Sequence, residues 1–305
     1  MTRYVVVRLS QLVVVVLLAL TVVFFLQFLA GDPVALHLPL DATREEIEAM
    51  RERLGLLDPL PVQYFRFLSR VVQGDFGSSL RHTGGALPTV LSRVPATAQL
   101  AALGIVVSLG IAIPVGVVSA ANRESVFDRL GIVVTVLGQA IPGFWLGLMA
   151  MLVFSVRLGW LPTGGRGGLE HLILPTITLT AFYAARFARL SRSTMLDVLS
   201  TEYIRTARAK GLSERVVLYK HGLRNASISI LTLVGLQLVQ LLGGAVVTET
   251  IFYWPGLGRL MLQSLLYRDF SVVFAGVSLI AIAAAVMNLL VDLAYAWVDP
   301  RVRYS

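Results

Sequence analysis

The chain has 305 residues, 56% of them hydrophobic and only 14% charged, with a mean hydropathy of +0.76. Those values exclude an ordinary soluble domain and place the chain in a bilayer. A net charge of +8 raises nucleic acid as a partner, but in a membrane chain basic residues set topology first, so no nucleic acid is expected. With no cysteine, disulfides, thiol catalysis and thiolate metal sites are all excluded, and the redox compartment is unreadable.

A hydrocarbon core of about 30 Å needs about 20 helical residues. Five windows meet that length: Leu9 to Leu29, Thr97 to Ala121, Ile132 to Val156, Ile228 to Thr248 and Val272 to Trp297. A sixth, Leu172 to Phe187, is shorter and contains Pro175 with Thr176, Thr178 and Thr180, which predicts a kinked span. The first window is read as a retained helix: it is longer than a signal-peptide core, and Phe28-Leu29-Ala30 places bulk where cleavage wants a small residue. From a cytoplasmic N-terminus, six spans put 15 of the 26 basic residues inside. The expected topology is N-in and C-in.

Residues 1–30 form the N-terminal transmembrane helix in this reading, 31–95 an external segment, and 96–305 a five-helix core. Within the external segment Thr43 and Glu46 specify a capping box, with Ile47, Met50 and Leu54 on one face before Gly55. A second amphipathic helix follows Asp58-Pro59, carrying Tyr64, Phe67, Leu68 and Val71, and its aromatics are expected at the headgroup level. Gly131, Thr135, Gly138 and Pro142 give the third span a face of small residues. Gln139, Gln237 and Gln240 are amides inside spans, where they line a substrate path or join helix to helix. Asp292, close to Asp299-Pro300, belongs to the last turns near the cytoplasmic surface.

Thr201 to Ala226, TEYIRTARAKGLSERVVLYKHGLRNA, holds both lysines of the chain and four arginines. It predicts two short helices about Gly211, the second capped by Ser213 with Glu214 in its first turn. Tyr203, Ile204 and Ala207 share one side of the first, and Arg205 and Arg208 project from another. A plain basic loop would account for the charge but not for this internal design, which suits a rigid element docking in a protein groove. No Walker A loop is possible, because Ala209 and Tyr219 precede the lysines, and neither HExxH nor GxSxG occurs. His37, His82, His171 and His221 are scattered, and no metal site is expected.

The same stretch resembles the cytoplasmic signature of membrane subunits of binding-protein-dependent ABC importers, with Gly211 as its fixed point. Of the general form only Ala207, Gly211 and Leu223 match, the Glu-Ala-Ala triplet falling on Arg205-Thr206-Ala207. The dipeptide/oligopeptide branch carries the variant found here, Tyr-Ile-Arg-Thr-Ala-Arg-Ala-Lys-Gly followed by His-x-Leu-Arg-Asn-Ala. GDFGSSL at 74–80, VPATAQLA at 94–101, IPGFWLG at 141–147, GWLPTGG at 159–165, ETIFYWPGLGRL at 249–260, YRDF at 267–270 and DPRVR at 299–303 extend the resemblance along the chain.

The resemblance implies an all-α polytopic protein with six transmembrane helices in the type I ABC importer fold, in a bacterial inner membrane. It implies a heterodimer with a second homologous permease, two cytoplasmic ATPase subunits that use ATP and Mg, and an extracytoplasmic substrate-binding protein; the chain itself binds no cofactor and is not an enzyme. Glu202, Tyr203, Arg205, Thr206, Ala207, Arg208, Lys210 and Gly211 are then the ATPase-coupling residues, in a loop at about 191–224. Trp254, Pro255 and Gly256, in a bent loop after the fifth span, are assigned to an external gate or binding-protein contact. The implied cargo is a dipeptide or oligopeptide, with glutathione or a nickel chelate as alternatives. A stand-alone secondary transporter or channel is the rival reading, but internal repeats and mid-membrane ionisable residues are not evident. An intramembrane enzyme lacks its motifs.

Overall fold

The computed structural model describes residues 2–29 and 42–298. The DPRVR run at 299–303 and the side chain of Asp292 lie outside the described residues. Every regular element among them is a helix, and one antiparallel bridge joins Ser78 and Gly85. The chain divides into two compact units, one of Pro95–Arg259 with the segment from Met287, the other of Thr2–Val94 with Leu260–Val286.

In the second of these, α1 (Thr2–Leu29) precedes α2 (Arg44–Leu54), α3 (Leu60–Val72) and α4 (Ala86–Leu91). Thr43 and Glu46 form the reciprocal cap: Thr43 Oγ1 accepts from Glu46 N at 3.3 Å, and Glu46 Oε2 accepts from Thr43 N at 2.8 Å. Gly55, in the left-handed region, ends α2. The aromatics of α3 have a protein partner that periodicity alone does not reveal. Tyr64 and Phe67 turn onto Phe24 of α1, ring centroids 5.3 and 5.6 Å away, and Tyr64 Oη lies 2.7 Å from Thr21 Oγ1. Amphipathic periodicity found the helix, and the end of α1 supplies the partner for part of its apolar face.

Two separated motifs also meet in this unit. Asp269 of YRDF accepts from Ser79 Oγ at 2.5 Å and from Leu80 N at 3.2 Å, both in GDFGSSL, while the Arg81 guanidinium lies 3.9 Å above the Tyr267 ring. A buried carboxylate with two donors fixes a loop that has few apolar contacts of its own.

The other unit is organised by α8 (Glu170–Leu199), which packs against α6 (Val126–Ala140), α7 (Gly143–Ala150) and α11 (Arg224–Gly244). Pro175 is accommodated inside α8, which runs well beyond the expected end at Phe187. With α5 (Val94–Ala121), α8 and α11 contribute to a core containing Leu100, Ile105, Leu179, Phe187, Leu241 and Trp254. The expected straight span from Ile132 to Val156 is broken instead: α6 and the helix beginning at Gly143 meet at 94°, with Ile141 and Pro142 between them. Pro142 lacks the N–H needed to continue α6 and becomes the N-cap of α7. A π-helical stretch, Met151–Arg157, follows α7.

Among the described residues, three helical stretches are long and apolar enough to cross a bilayer, Val6–Leu26, Ala86–Ala121 and Phe270–Val291, or four if the bent pair counts as one span. The last belongs to α14 (Phe270–Val298). Between α11 and α14 lie two shorter helices, α12 (Val246–Ile251) and α13 (Leu257–Leu266).

A charged clasp fixes α6 against α8. Arg192 Nε and Nη2 donate to Asp128 Oδ1 and Oδ2 at 2.6 and 2.8 Å, Ser119 Oγ donates to the same carboxylate, and Glu124 N adds a bond at 2.9 Å. Asp128 is 2% exposed. Removing one member of such a pair strands the other charge. D128A is expected to lose about 3 kcal/mol of stability, at the low end for buried pairs because Arg192 is a quarter exposed. Thermal unfolding in detergent should show D128A less stable than the double variant D128A/R192A.

Candidate functional site

The segment after α8 forms a tight hairpin. Helix α9 (Glu202–Ala209) ends at Gly211, whose φ of +75° is open to glycine and strained for other residues. Gly211 N bonds Arg208 O at 2.9 Å and Leu212 N bonds Ala207 O at 3.4 Å, the paired pattern of a glycine-terminated helix. The second helix is not short. A turn at Glu214–Val216, α10, continues through a π-helical stretch, Val217–Leu223, into α11, so the far arm of the hairpin is the root of a long helix. Ser213 occupies the N-cap position without a side-chain cap bond. The ion pair made by Glu214 organises the turn instead.

Arg208 donates to both oxygens of Glu214, at 2.6 and 3.2 Å, and this bond holds the Glu214 carboxyl below its ordinary range and raises Arg208. A lowered carboxyl keeps its charge to lower pH than a free one, so the clip opens at lower pH than an unpaired glutamate would protonate. Ile204 and Ala207 are buried against Val217, with Val198 and Leu199 beside them, while Tyr203 Oη accepts from Asn225 Nδ2 at 2.8 Å. The element is thus fastened to the end of α8 and to the start of α11. Ala207 faces inward; the exposed face carries Tyr203, Arg205, Thr206, Arg208, Lys210 and Gly211, with Leu212 and Tyr219, which the sequence reading passed over.

A second node gathers three motifs around Glu249, which is fully buried. Thr97 Oγ1 donates to Glu249 Oε1 at 2.6 Å and accepts from Leu257 N at 2.8 Å, while Arg259 N donates to Glu249 Oε2 at 2.9 Å. The carboxylate and hydroxyl together satisfy amides at the start of α13 that no helical turn precedes. Trp254 is 1% exposed and donates Nε1 to Ala96 O at 2.9 Å, so it is an interior anchor and offers no surface to a binding protein in this conformation. Gly256 is buried and Pro255 half-buried; the exposed residue of the loop is Tyr253, stacked under Arg259. Gly165 N bonds Phe252 O at 2.8 Å, and a Cβ on Gly164 would lie 2.4 Å from that same oxygen. Glu249 stood inside a quoted motif, and its position directly after an apolar run was the signal that could have identified it.

The three amides are not gathered into one site. Gln237 is buried and accepts from Arg186 Nη1 at 3.5 Å; Gln139 has a buried Nε2 with no partner among the described residues; Gln240 is exposed.

This hairpin between two long helices was the element expected to pair with other subunits, and comparison with known proteins identifies the family of the chain. Residues 112–304 match the family model described as "Binding-protein-dependent transport system inner membrane component", and residues 1–101 match its N-terminal companion. The chain belongs to this family.

The permease is 43% identical to the glutathione transport system permease protein GsiC of Salmonella paratyphi A, and 42% identical to those of Pectobacterium atrosepticum and Escherichia coli, over the whole of both chains in each case. Among solved structures, an amino acid ABC transporter with histidines aligns with 68% of the permease and 93% of its own chain, at a TM-score of 0.52 and 16% identity. That likeness establishes the fold, the type I ABC permease arrangement. The permease is a multi-pass protein of the inner membrane and a membrane subunit of an ABC importer.

The tight approach at Gly164 gives a local test. G164A is expected to cost about 1–3 kcal/mol through overpacking and backbone shift, whereas G143A, whose Cβ would meet nothing within 4 Å, should leave stability unchanged. Unfolding midpoints of the two purified variants decide it.

Proposed function

We propose that the permease forms half of the translocation pathway of a heterodimeric importer for glutathione or a similar short peptide, taking its power stroke through the 201–211 hairpin. The observation that carries this reading is the hairpin itself: a short helix closed by Gly211, clipped by Arg208 and Glu214, and packed on both α8 and α11. Force applied to its exposed face reaches two long helices through buried contacts. Glu202, Tyr203, Arg205, Thr206, Arg208, Lys210 and Gly211 form or border the face offered to an ATPase groove, and Ala207 acts from below by letting α9 lie close to Val217.

Six spans are the proposed topology, with both termini in the cytoplasm. The three apolar stretches and the bent pair supply four; α8, at 30 residues, and α11, at 21, are each long enough to supply the others. A second permease completes the pathway, two ATPases hydrolyse MgATP, and an extracytoplasmic binding protein delivers cargo. The proposed domain division is 1–30, 31–95 and 96–305. The 249–259 loop is proposed as part of the external gate, with Trp254 and Glu249 holding it shut against the start of α5 rather than meeting the binding protein.

Glutathione is favoured as cargo because full-length relatives at 42–43% identity carry that name. A peptide with two carboxylates also suits a chain whose pathway amides and cations lack acidic partners, as at Arg186.

The coupling role is tested by G211V in the complete importer. The position has no neighbour within 4 Å of an added Cβ, so only the backbone is strained, by about 1–2 kcal/mol. The variant is expected to insert and fold while binding-protein-stimulated ATP hydrolysis falls at least about tenfold, the equivalent of about 1.4 kcal/mol. Unchanged stimulation would remove the hairpin from the coupling path. Uptake of labelled glutathione into vesicles containing all subunits tests the cargo, with a nickel chelate and an unrelated dipeptide as competitors.

A further inference from the structure

Helix α8 carries an exposed stripe unlike the lipid-facing surface of an ordinary span. Phe182, Arg186, Arg189, Ser193 and Asp197 are exposed at spacings of four, three, four and four, while Leu179, Tyr183, Phe187, Ser191 and Met195 are buried. Three arginines lie close together on this helix and receive different treatment. Arg192 is neutralised by buried Asp128. Arg186 meets only the neutral amide of Gln237, and Arg189 makes no hydrogen bond or ion pair among the described residues. Arg189 and Ser193 border a groove of about 490 Å³ between α5, α6 and α8, whose wall includes Ser119, Thr135 and Val136.

Depth sharpens the point. Counted from Glu170 at 1.5 Å per residue, Arg186 lies about 24 Å and Arg189 about 28 Å along α8, in the half of the helix leading to the coupling hairpin. With a core about 30 Å thick these positions lie toward its cytoplasmic end, where a cation without an acidic partner sits beside water, headgroups or an anionic ligand. Arg186 reaches sideways to α11 and so does not extend away along its own helix toward the headgroups. A guanidinium offers a planar fork matched to a carboxylate, and two of them one turn apart allow an anion to pass from one to the next without being held too firmly to leave.

We propose that Arg186 and Arg189 form a carboxylate-binding ladder on the wall of the translocation pathway, receiving the free carboxylates of a peptide-like cargo in the cytoplasmic half of its passage. This rests on the topology and pathway role given above and goes further by assigning the site and the chemical group it takes. The only carboxylate on the same stripe is Asp197, two turns beyond Arg189 and without a bond to it. Asp128 faces Arg189's neighbour from α6 but is held by Arg192, so the groove keeps its positive charge.

Two experiments test the ladder, and the first needs no cargo. Because the chain has no cysteine, S193C gives it a single thiol, whose labelling is read on this chain after it is separated from the other subunits of the importer in vesicles. Its labelling rates with methanethiosulfonates bearing a sulfonate or a trimethylammonium group report the local charge. Introducing R189Q should lower the sulfonate-to-ammonium rate ratio about tenfold, as expected for one charge about 6 Å away acting with opposite sign on the two reagents in water. An unchanged ratio, or a thiol that reacts only with a lipid-soluble reagent, would overturn the proposal.

In the second experiment R186Q and R189Q are expected to raise the KM for glutathione at least about fivefold, leave that for its carboxyl diamide unchanged, and be partly rescued by R189K. Equal losses for acid and diamide would also overturn it. If wild-type importer carries neither compound, the cargo reading falls, while the labelling ratio still decides whether the ladder exists.

Discussion

A carboxylate buried where water is scarce must find donors inside the protein, and this constraint settles much of how the permease is assembled. Apolar faces give little direction to helices surrounded by lipid tails of the same polarity. Polar groups do, because an unmatched one is costly. Asp128 ties α6 to α8 through Arg192 and Ser119, Glu249 gathers the start of α5 and the start of α13, and Asp269 closes the 74–80 loop on the 267–270 turn. Each is an acid at the end of an apolar helix or just outside it, and each binds a segment distant in sequence. Two of these joints are built from stretches singled out in the sequence: VPATAQLA with ETIFYWPGLGRL, and GDFGSSL with YRDF.

The 201–211 hairpin follows the same logic on a more exposed segment. Its buried side is small and apolar, Ile204 and Ala207 on Val217, and its outer side keeps one strong ion pair across the turn. Exposed pairs contribute little to stability. Here the pair restricts geometry, holding α9 at a fixed angle to the helix that continues from the turn. Gly211 supplies the backbone conformation and Arg208 with Glu214 keeps the two arms from splaying.

Much of this was legible in the sequence, for identifiable reasons. Hydropathy found the apolar stretches because bilayer thickness imposes a length. The Thr43 cap and the Gly55 and Gly211 stops were readable because they are local, needing only a few residues and one backbone angle. What escaped was non-local. Nothing near Pro142 announces whether a proline within an apolar window kinks a span or ends it, and the bend of 94° depends on packing against α8 and α12. Tyr64 and Phe67 had the right period but an unforeseen partner in Phe24. Arg186 and Arg189 entered only as topology charges, since their lack of acidic partners is a fact of three dimensions.

The π-helical stretch between the hairpin and α11 has a mechanical meaning. Hydrogen bonds that skip five residues make a wider coil than the α-helix on either side, and such segments are uncommon and brief. A tighter winding of the same residues is therefore a neighbouring state, reached by exchanging bonds rather than by losing them. Rewinding these seven residues as α-helix would turn α11 about its own axis relative to α9.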